Sequence, residues 1–347
     1  MVKEPVRINL ALQGGGAHGA FTWGALDRLL EEETIEIAAI SGTSAGAMNA
    51  AALKAGLVTG GRAGARENLD WLWSRMGAVT DDTLSDWLRL FSPAVPALAA
   101  GLKYSPAYAA LDATTRMFSP YAFGPMLQNP LARIVSEFHY DDVCGEPGPA
   151  LFIGATNVRS GKVRVFAGDE ITPEAILASA CLPTLFQAVE IDEPATGRRE
   201  AYWDGGYTGN PPLFPLFAPD LPDDILIVNI NPLERDGLPK DSPSIQNRIN
   251  EISFNASLLR ELRAIAFVKR LLADGSLERG TMKDVLVHMV SDDALMNDLN
   301  VATKTLPTPV ILARLKAAGR DAMGGFLARH HAELGRCATA DLAAMFG

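Results

Sequence analysis

Residues 42–46, Gly42-Thr43-Ser44-Ala45-Gly46, read G-x-S-x-G. A serine on a sharp turn between a strand and a helix is pushed outward, and glycines on both sides remove side chains that would collide across the turn. The helix that follows turns its free N–H groups toward developing negative charge. That arrangement suits a nucleophile; the plain alternative is a small-residue βα turn in which Ser44 caps a helix. Upstream, Gly14-Gly15-Gly16-Ala17-His18-Gly19 offers consecutive backbone N–H groups that can close on an anion. The same glycines satisfy G-x-G-x-x-G, the phosphate turn of dinucleotide folds, which requires an acidic residue about 20 positions on, at the end of the second strand. Ser41-Gly42 stands there instead, which favours an oxyanion hole over a nucleotide site.

A nucleophilic serine needs a proton acceptor, and the five histidines serve poorly. His18 lies inside the glycine loop, His139 at a helix end, and His330 and His331 on a terminal helix. His288 alternates with Val287 and Met289, as a satisfied strand histidine would. Asp204, preceded by Ala201-Tyr202-Trp203 and followed by Gly205-Gly206, is the better candidate. A D-G pair after an alternating run is ordinarily a hairpin turn. Among Tyr202, Trp203 and Tyr207, however, the carboxylate can lose solvent, rise above its ordinary pKa of about 3.9 and accept the serine proton directly.

The elements that must carry these residues follow from periodicity. Val6 to Leu12 is a β-prone run ending in the triple glycine, and Ala20 to Glu33 places apolar residues at helical spacing. Ile35 to Ile40 is a second apolar strand that leads into the serine turn and a small-residue helix over about residues 47–55. Two β-loop-α units in succession imply parallel strands with crossover helices. Residues 62–140 read as helical and proline-broken, an insertion before the strands return. Further strands are expected at Leu151 to Val158, Lys162 to Ala167 as its hairpin partner, Gln187 to Ile191, Asp224 to Asn231 and Val285 to Val290. Ile245 to Leu272 reads as a long amphipathic helix with Ile252, Leu259, Leu262, Ile265 and Leu272 near one face.

Composition bounds the function. The chain has 347 residues, 48% hydrophobic and 21% charged, a globular balance with no run approaching the roughly 18 apolar residues of a membrane span. A net charge of −10 gives no general pull toward nucleic acid. Cys144, Cys181 and Cys337 form no CxxC and are odd in number, which speaks against a disulfide framework or a structural zinc. Acid pairs such as Asp81-Asp82, Asp141-Asp142 and Asp292-Asp293 read as caps or turns rather than metal ligands. No secretory signal is recognised at the N-terminus, so a cytoplasmic location is expected, with peripheral contact at a membrane left open.

Ser44 and Asp204 among their glycines, with the glycine loop ahead of them, resemble the patatin-like phospholipases. That family's pattern is a glycine-rich oxyanion loop, a G-x-S-x-G nucleophile turn and a D-G-[GA] aspartate. Ala178-Ser179-Ala180-Cys181-Leu182-Pro183-Thr184-Leu185-Phe186 matches a further A-S-x-A-x-P-x-x-F block between them. The resemblance implies an α/β fold, a three-layer α/β/α sandwich with a mostly parallel central sheet, and a Ser-Asp dyad working without histidine. On that footing Ser44 is the acyl-accepting nucleophile, Asp204 its base, and the backbone of Gly14, Gly15, Gly16 and Ala17 the oxyanion hole, with no metal or cofactor. The implied activity is hydrolysis of fatty-acyl esters of phospholipids or neutral lipids. A carboxylesterase or polyester depolymerase using the same dyad is the enzymatic alternative, and a binding or scaffold protein on this fold the non-enzymatic one. One position departs from the pattern: the family usually carries Arg or Lys where His18 stands. Protonation of His18, at an ordinary pKa near 6.5, is therefore expected to modulate activity around neutral pH.

The expected organisation is a catalytic core over residues 1–232, interrupted by the helical insertion, and a mainly helical region over 233–347 packed on the same core. Trp87 to Phe91 and the weakly charged Pro93 to Leu102, within residues 85–118, read as apolar helices packing on that core or else as a lid. The expected partner is a lipid or acyl-ester substrate, with transient membrane-surface contact and self-association left open.

Overall fold

A computed structural model describes residues 5–77, 95–106, 110, 113, 117–122, 129–145, 147–194, 196–235 and 237–346. In chain order the elements are β1 (Val6–Leu12), α1 (Gly19–Leu29), β2 (Ile35–Thr43), α2 (Ala45–Arg75), α3 (Val95–Lys103), α4 (Leu131–Val135), α5 (Tyr140–Cys144), β3 (Ala150–Asn157), β4 (Val163–Ala167), α6 (Pro173–Ser179), β5 (Val189–Glu193), β6 (Arg198–Asp204), β7 (Asp224–Val228), α7 (Ser242–Ala273), β8 (Leu286–Val290), α8 (Asp293–Asp298), α9 (Val301–Thr305), α10 (Pro309–His330) and α11 (Leu342–Phe346). Trp87 to Phe91 and Asp81-Asp82 lie outside the described residues.

One eight-stranded sheet organises the chain, in the order β5-β6-β3-β2-β1-β7-β8, with β4 also paired to β3. The run β3-β2-β1-β7-β8 is parallel, while β4 and β6 pair antiparallel with β3, and β5 antiparallel with β6. Alternation along the central strands explains the layers. Ile8, Leu10 and Leu12 of β1, with Leu226 and Val228 of β7, join a core shared with α1, α2 and α10. Ala11, Ile225 and Ile227 point the other way, into a second core with Leu258, Leu262 and Ile265 of α7 and Leu342 of α11. Strands covered on both faces are apolar over most of their length, as parallel sheets favour, with Asn9, Asp224 and His288 as buried polar exceptions. The fold is therefore α/β, a mostly parallel central sheet with helices on both sides.

Two expectations change. The helix after the serine turn runs from Ala45 to Arg75, bent where Gly60 and Gly61 leave helical geometry, because helical turns resume at once beyond the glycine pair. On α7, Ile252 is 56% exposed, while Asn247, Glu251 and Asn255 turn inward. The buried side of that helix pairs polar groups of the sheet's end over its first half and apolar ones only from Leu258 on. Among the described residues no helix is long and apolar enough to cross a membrane.

Candidate active site

β2 ends at Thr43 and α2 begins at Ala45, so the turn between them is one residue long. Ser44 takes φ 55° and ψ −121° and is the one non-glycine residue with positive φ among those described. A side chain there carries strain on the order of 1–3 kcal/mol, which the surroundings must hold. They do so through a relay: the Ser44 N–H donates to Ser179 Oγ at 2.8 Å, and Ser179 Oγ donates to the Gly154 carbonyl at 2.6 Å. Close approach explains two neighbouring glycines. A Cβ on Gly14 would lie 2.7 Å from Ser44 Cβ, and one on Gly46 would overlap the Leu12 carbonyl.

Sheet register brings the carboxylate to the serine. Thr43 sits opposite Gly154 across β2–β3, and the next residue of β3, Ala155, sits opposite Asp204 across β3–β6. Asp204 is 1% exposed and Ser44 8%. The Asp204 carboxylate accepts the Gly206 N–H at 2.8 Å, and the Ser44 side chain lies near enough to favour its charged form. Burial pushes the Asp204 carboxyl up to about 6, and the Gly206 N–H and the nearby Ser44 side chain pull it partway back. Beside it, burial lifts the Cys181 thiol to about 12, leaving it uncharged.

The glycine loop follows β1 at the same C-terminal edge of the sheet, where ligands of open α/β folds bind. Its backbone is held from below. Gly14 N–H donates to Asn210 Oδ1 at 2.7 Å, and the Gly14 carbonyl accepts from Asn231 Nδ2 at 2.8 Å. Gln13 Oε1 accepts the Ile230 and Asn231 N–H groups at 2.9 and 3.1 Å, and Gln13 Nε2 donates to Asn255 Oδ1 at 3.2 Å. None of the described hydrogen bonds uses the Gly15 or Gly16 N–H, and Ala17 is buried. Ser44, Asp204 and the loop are thus assembled in one place, whereas His139, His288, His330 and His331 stand elsewhere. His288 bridges Asp224 and Thr339 at 2.9 and 3.0 Å. A cavity lined by Met289, Phe326, His330 and Thr339 contains none of the assembled residues.

His18 departs from its expected behaviour. It is 1% exposed, and its Nε2 lies 2.8 Å from Thr303 Oγ1, whose own proton goes to the Asn300 carbonyl at 2.6 Å. The ring therefore donates through Nε2, and its buried Nδ1 has no hydrogen-bond partner among the described residues. Burial, with Lys304 and Arg235 nearby, holds its pKa well below the ordinary value, so it carries no charge to lose near neutral pH.

Sequence reasoning missed Ser179, Asn210, Gln13 and Asn231 as site residues. Ser179 lay inside the matched block without a role, Gln13 and Asn231 are polar residues that end apolar runs, where a buried amide usually holds backbone, and Asn210, after Tyr207-Thr208-Gly209, carries no such signal.

No curated protein matches the chain. Among solved structures it is similar to VipD from Legionella pneumophila, at 17% identity over 98% of this chain and 72% of that one, with a TM-score of 0.41. It is also similar to a chain of the heterodimeric ExoU–SpcU complex from the type III secretion system of Pseudomonas aeruginosa, at 17% identity and a TM-score of 0.36. There it covers 94% of its own length and about half, 52%, of the other chain. Residues 10–217 match the family described as patatin-like phospholipase, a span that takes in the glycine loop, the serine turn and Asp204, and on this match the chain belongs to the patatin-like phospholipase family, whose activity is lipid acyl hydrolysis.

Proposed function

We propose that this chain is a serine hydrolase of fatty-acyl esters, of phospholipids or neutral lipids, working through Ser44 and Asp204. The observation that carries the reading is the strained Ser44 turn set by sheet register beside the buried Asp204 carboxylate, next to a backbone loop with unused N–H groups. Ser44 Oγ attacks the ester carbonyl carbon and passes its proton to Asp204. The carbonyl oxygen becomes an oxyanion that the Gly15 to Ala17 backbone receives, the Gly14 N–H expected to join them being engaged by Asn210 Oδ1; such an interaction is worth about 10²–10³ in rate per donor. The intermediate collapses, the alcohol leaves with the proton from Asp204, and the acyl group stays on Ser44. Water then attacks the acyl-enzyme, gives one proton to Asp204, and the fatty acid departs as Ser44 recovers that proton. A carboxyl raised to about 6 is a stronger base than an ordinary aspartate and stays ionised at neutral pH.

The test is hydrolysis of aryl esters of increasing acyl length by wild type and Ser44→Ala. Activity that rises with chain length and is lost in the variant is expected. A preference for the shortest chains would move the reading to a carboxylesterase, and activity untouched by Ser44→Ala would overturn the serine mechanism.

A further inference from the structure

Lys304 is distant in sequence from every residue named in the mechanism, yet α9 carries it onto the glycine loop. A Cβ on Gly16 would lie 2.5 Å from the Lys304 carbonyl oxygen, so the two backbones touch. The Lys304 ammonium donates to Asn231 Oδ1 at 2.9 Å. An ammonium has no acceptor capacity, so it requires the amide oxygen of Asn231 on its side. Asn231 Nδ2 is thereby turned to the Gly14 carbonyl at 2.8 Å and to Gln13 Oε1 at 3.2 Å. In a planar trans peptide the C=O and N–H point in opposite directions. Holding the Gly14 carbonyl against Asn231 therefore directs the Gly15 N–H away from it.

We propose that Lys304 is a positioning residue for the oxyanion loop: its charge orients and polarises the Asn231 amide, which fixes the Gly14–Gly15 peptide with its N–H free to receive the oxyanion. A positive charge at the end of such a hydrogen-bonded chain strengthens each donor in it. The charged surroundings are mixed. Glu251 faces Lys304, and Arg235 pairs with Glu251 at 2.7 Å while Arg248 approaches the same carboxylate at 3.4 Å. His18, next along the loop, is neutral. Lys304 is the cation joined by hydrogen bonds to the loop's own carbonyl among the described residues. Burial first, and Arg235 after it, lower its ammonium to about 8, against the pull of Glu251, so the charge is present at neutral pH and lost above.

This proposal rests on the reading of Ser44 as nucleophile, and its test separates the two. Wild type, Ser44→Ala, Lys304→Met and Lys304→Arg are assayed on a soluble short-chain aryl ester across pH, with thermal melts to confirm folding. Lys304→Met is expected to lower kcat about tenfold, with KM within about twofold, because the lost interaction acts on the transition state. Lys304→Arg is expected to restore most of kcat and to move the alkaline fall in rate above the wild-type position near 8. An unchanged kcat in Lys304→Met, or equal losses in the folded Met and Arg variants, would overturn the proposal while leaving Ser44 in place. If Lys304→Met does not fold, the comparison of wild type with Lys304→Arg decides, and an identical alkaline limb overturns it. A wild type without Ser44-dependent activity would overturn both readings.

Discussion

Ser44 and Asp204 meet in a setting where ionisation of Asp204 and stability pull in opposite directions. A carboxyl whose folded pKa is about 6 against an ordinary 3.8 favours its protonated form in the native state. Its contribution to stability is therefore greatest below the ordinary value and declines as pH rises through the folded one. Asp204→Asn should abolish hydrolysis and yet raise stability at mildly alkaline pH by on the order of 1–3 kcal/mol, with the gain absent in acid where both side chains are neutral. Chemical denaturation at two pH values checks this, and a variant less stable than wild type at alkaline pH would contradict it. In the wild type, kcat/KM should fall as pH drops through about 6, where the base takes up its proton. His18 contributes nothing to that profile, because its buried ring is already neutral.

At the level of elements, α6 does for the serine turn what no local sequence signal announces. Its last residue, Ser179, links the Ser44 N–H to the Gly154 carbonyl on β3, so the strained turn is braced by a helix that arrives much later in the chain. The brace depends on α6 being held in turn. Thr172 caps its first turn by accepting the Ala175 N–H at 3.3 Å, and Ala175, Ile176 and Ala178 are buried on the sheet. Ser179→Ala should leave a buried N–H and a buried carbonyl unpaired, lowering stability by about 1–3 kcal/mol. It should lower kcat as well, since Ser44 can then relax out of its left-handed conformation. Melting curves together with kcat on a short-chain ester test this; Ser179→Thr, which keeps the hydroxyl, should recover much of both.

The whole molecule closes through its last long helix. α1 and α10 cross so closely that a Cβ on Gly24 would overlap the Lys316 carbonyl, and one on Gly319 the Phe21 carbonyl. Asp27 of α1, 4% exposed, is clasped there by Arg66 of α2 and Arg320 of α10. Lys316 adds a contact over the Trp23 ring at 3.8 Å and an ion pair with Asp70 at 3.0 Å. Because α1 springs from the glycine loop, the C-terminal helices set the position of that loop. Gly319→Val should therefore lower stability by more than about 3 kcal/mol, since the obstruction is backbone rather than a side chain that could rotate away. An unfolding midpoint equal to that of wild type would show that α10 can shift without penalty.

The amino-acid sequence by itself determined what depends on neighbours in the chain. The period of Val6–Leu12 defines β1 to the residue, the small residues around Ser44 demand a tight strand-to-helix turn, and Lys162 to Ala167 returns beside β3 as the hairpin expected of it. The glycine loop, the serine turn and Asp204 were legible for the same reason, each being a short block whose spacing carries its own chemistry. Only the tertiary structure decided what depends on distant partners and on water. The register of three strands sets Ser44 beside Asp204. Burial holds His18 well below its ordinary pKa, which nothing in its local sequence announces, whereas the rise of Asp204 was expected from the aromatic residues beside it. The apolar period of α7 misled at Ile252 because the helix faces a polar sheet end there, where Asn255 and Glu251 find Gln13 and Arg235. Periodicity records which side of a helix is apolar, but a buried polar face is stabilised by long-range hydrogen bonds that no local pattern encodes.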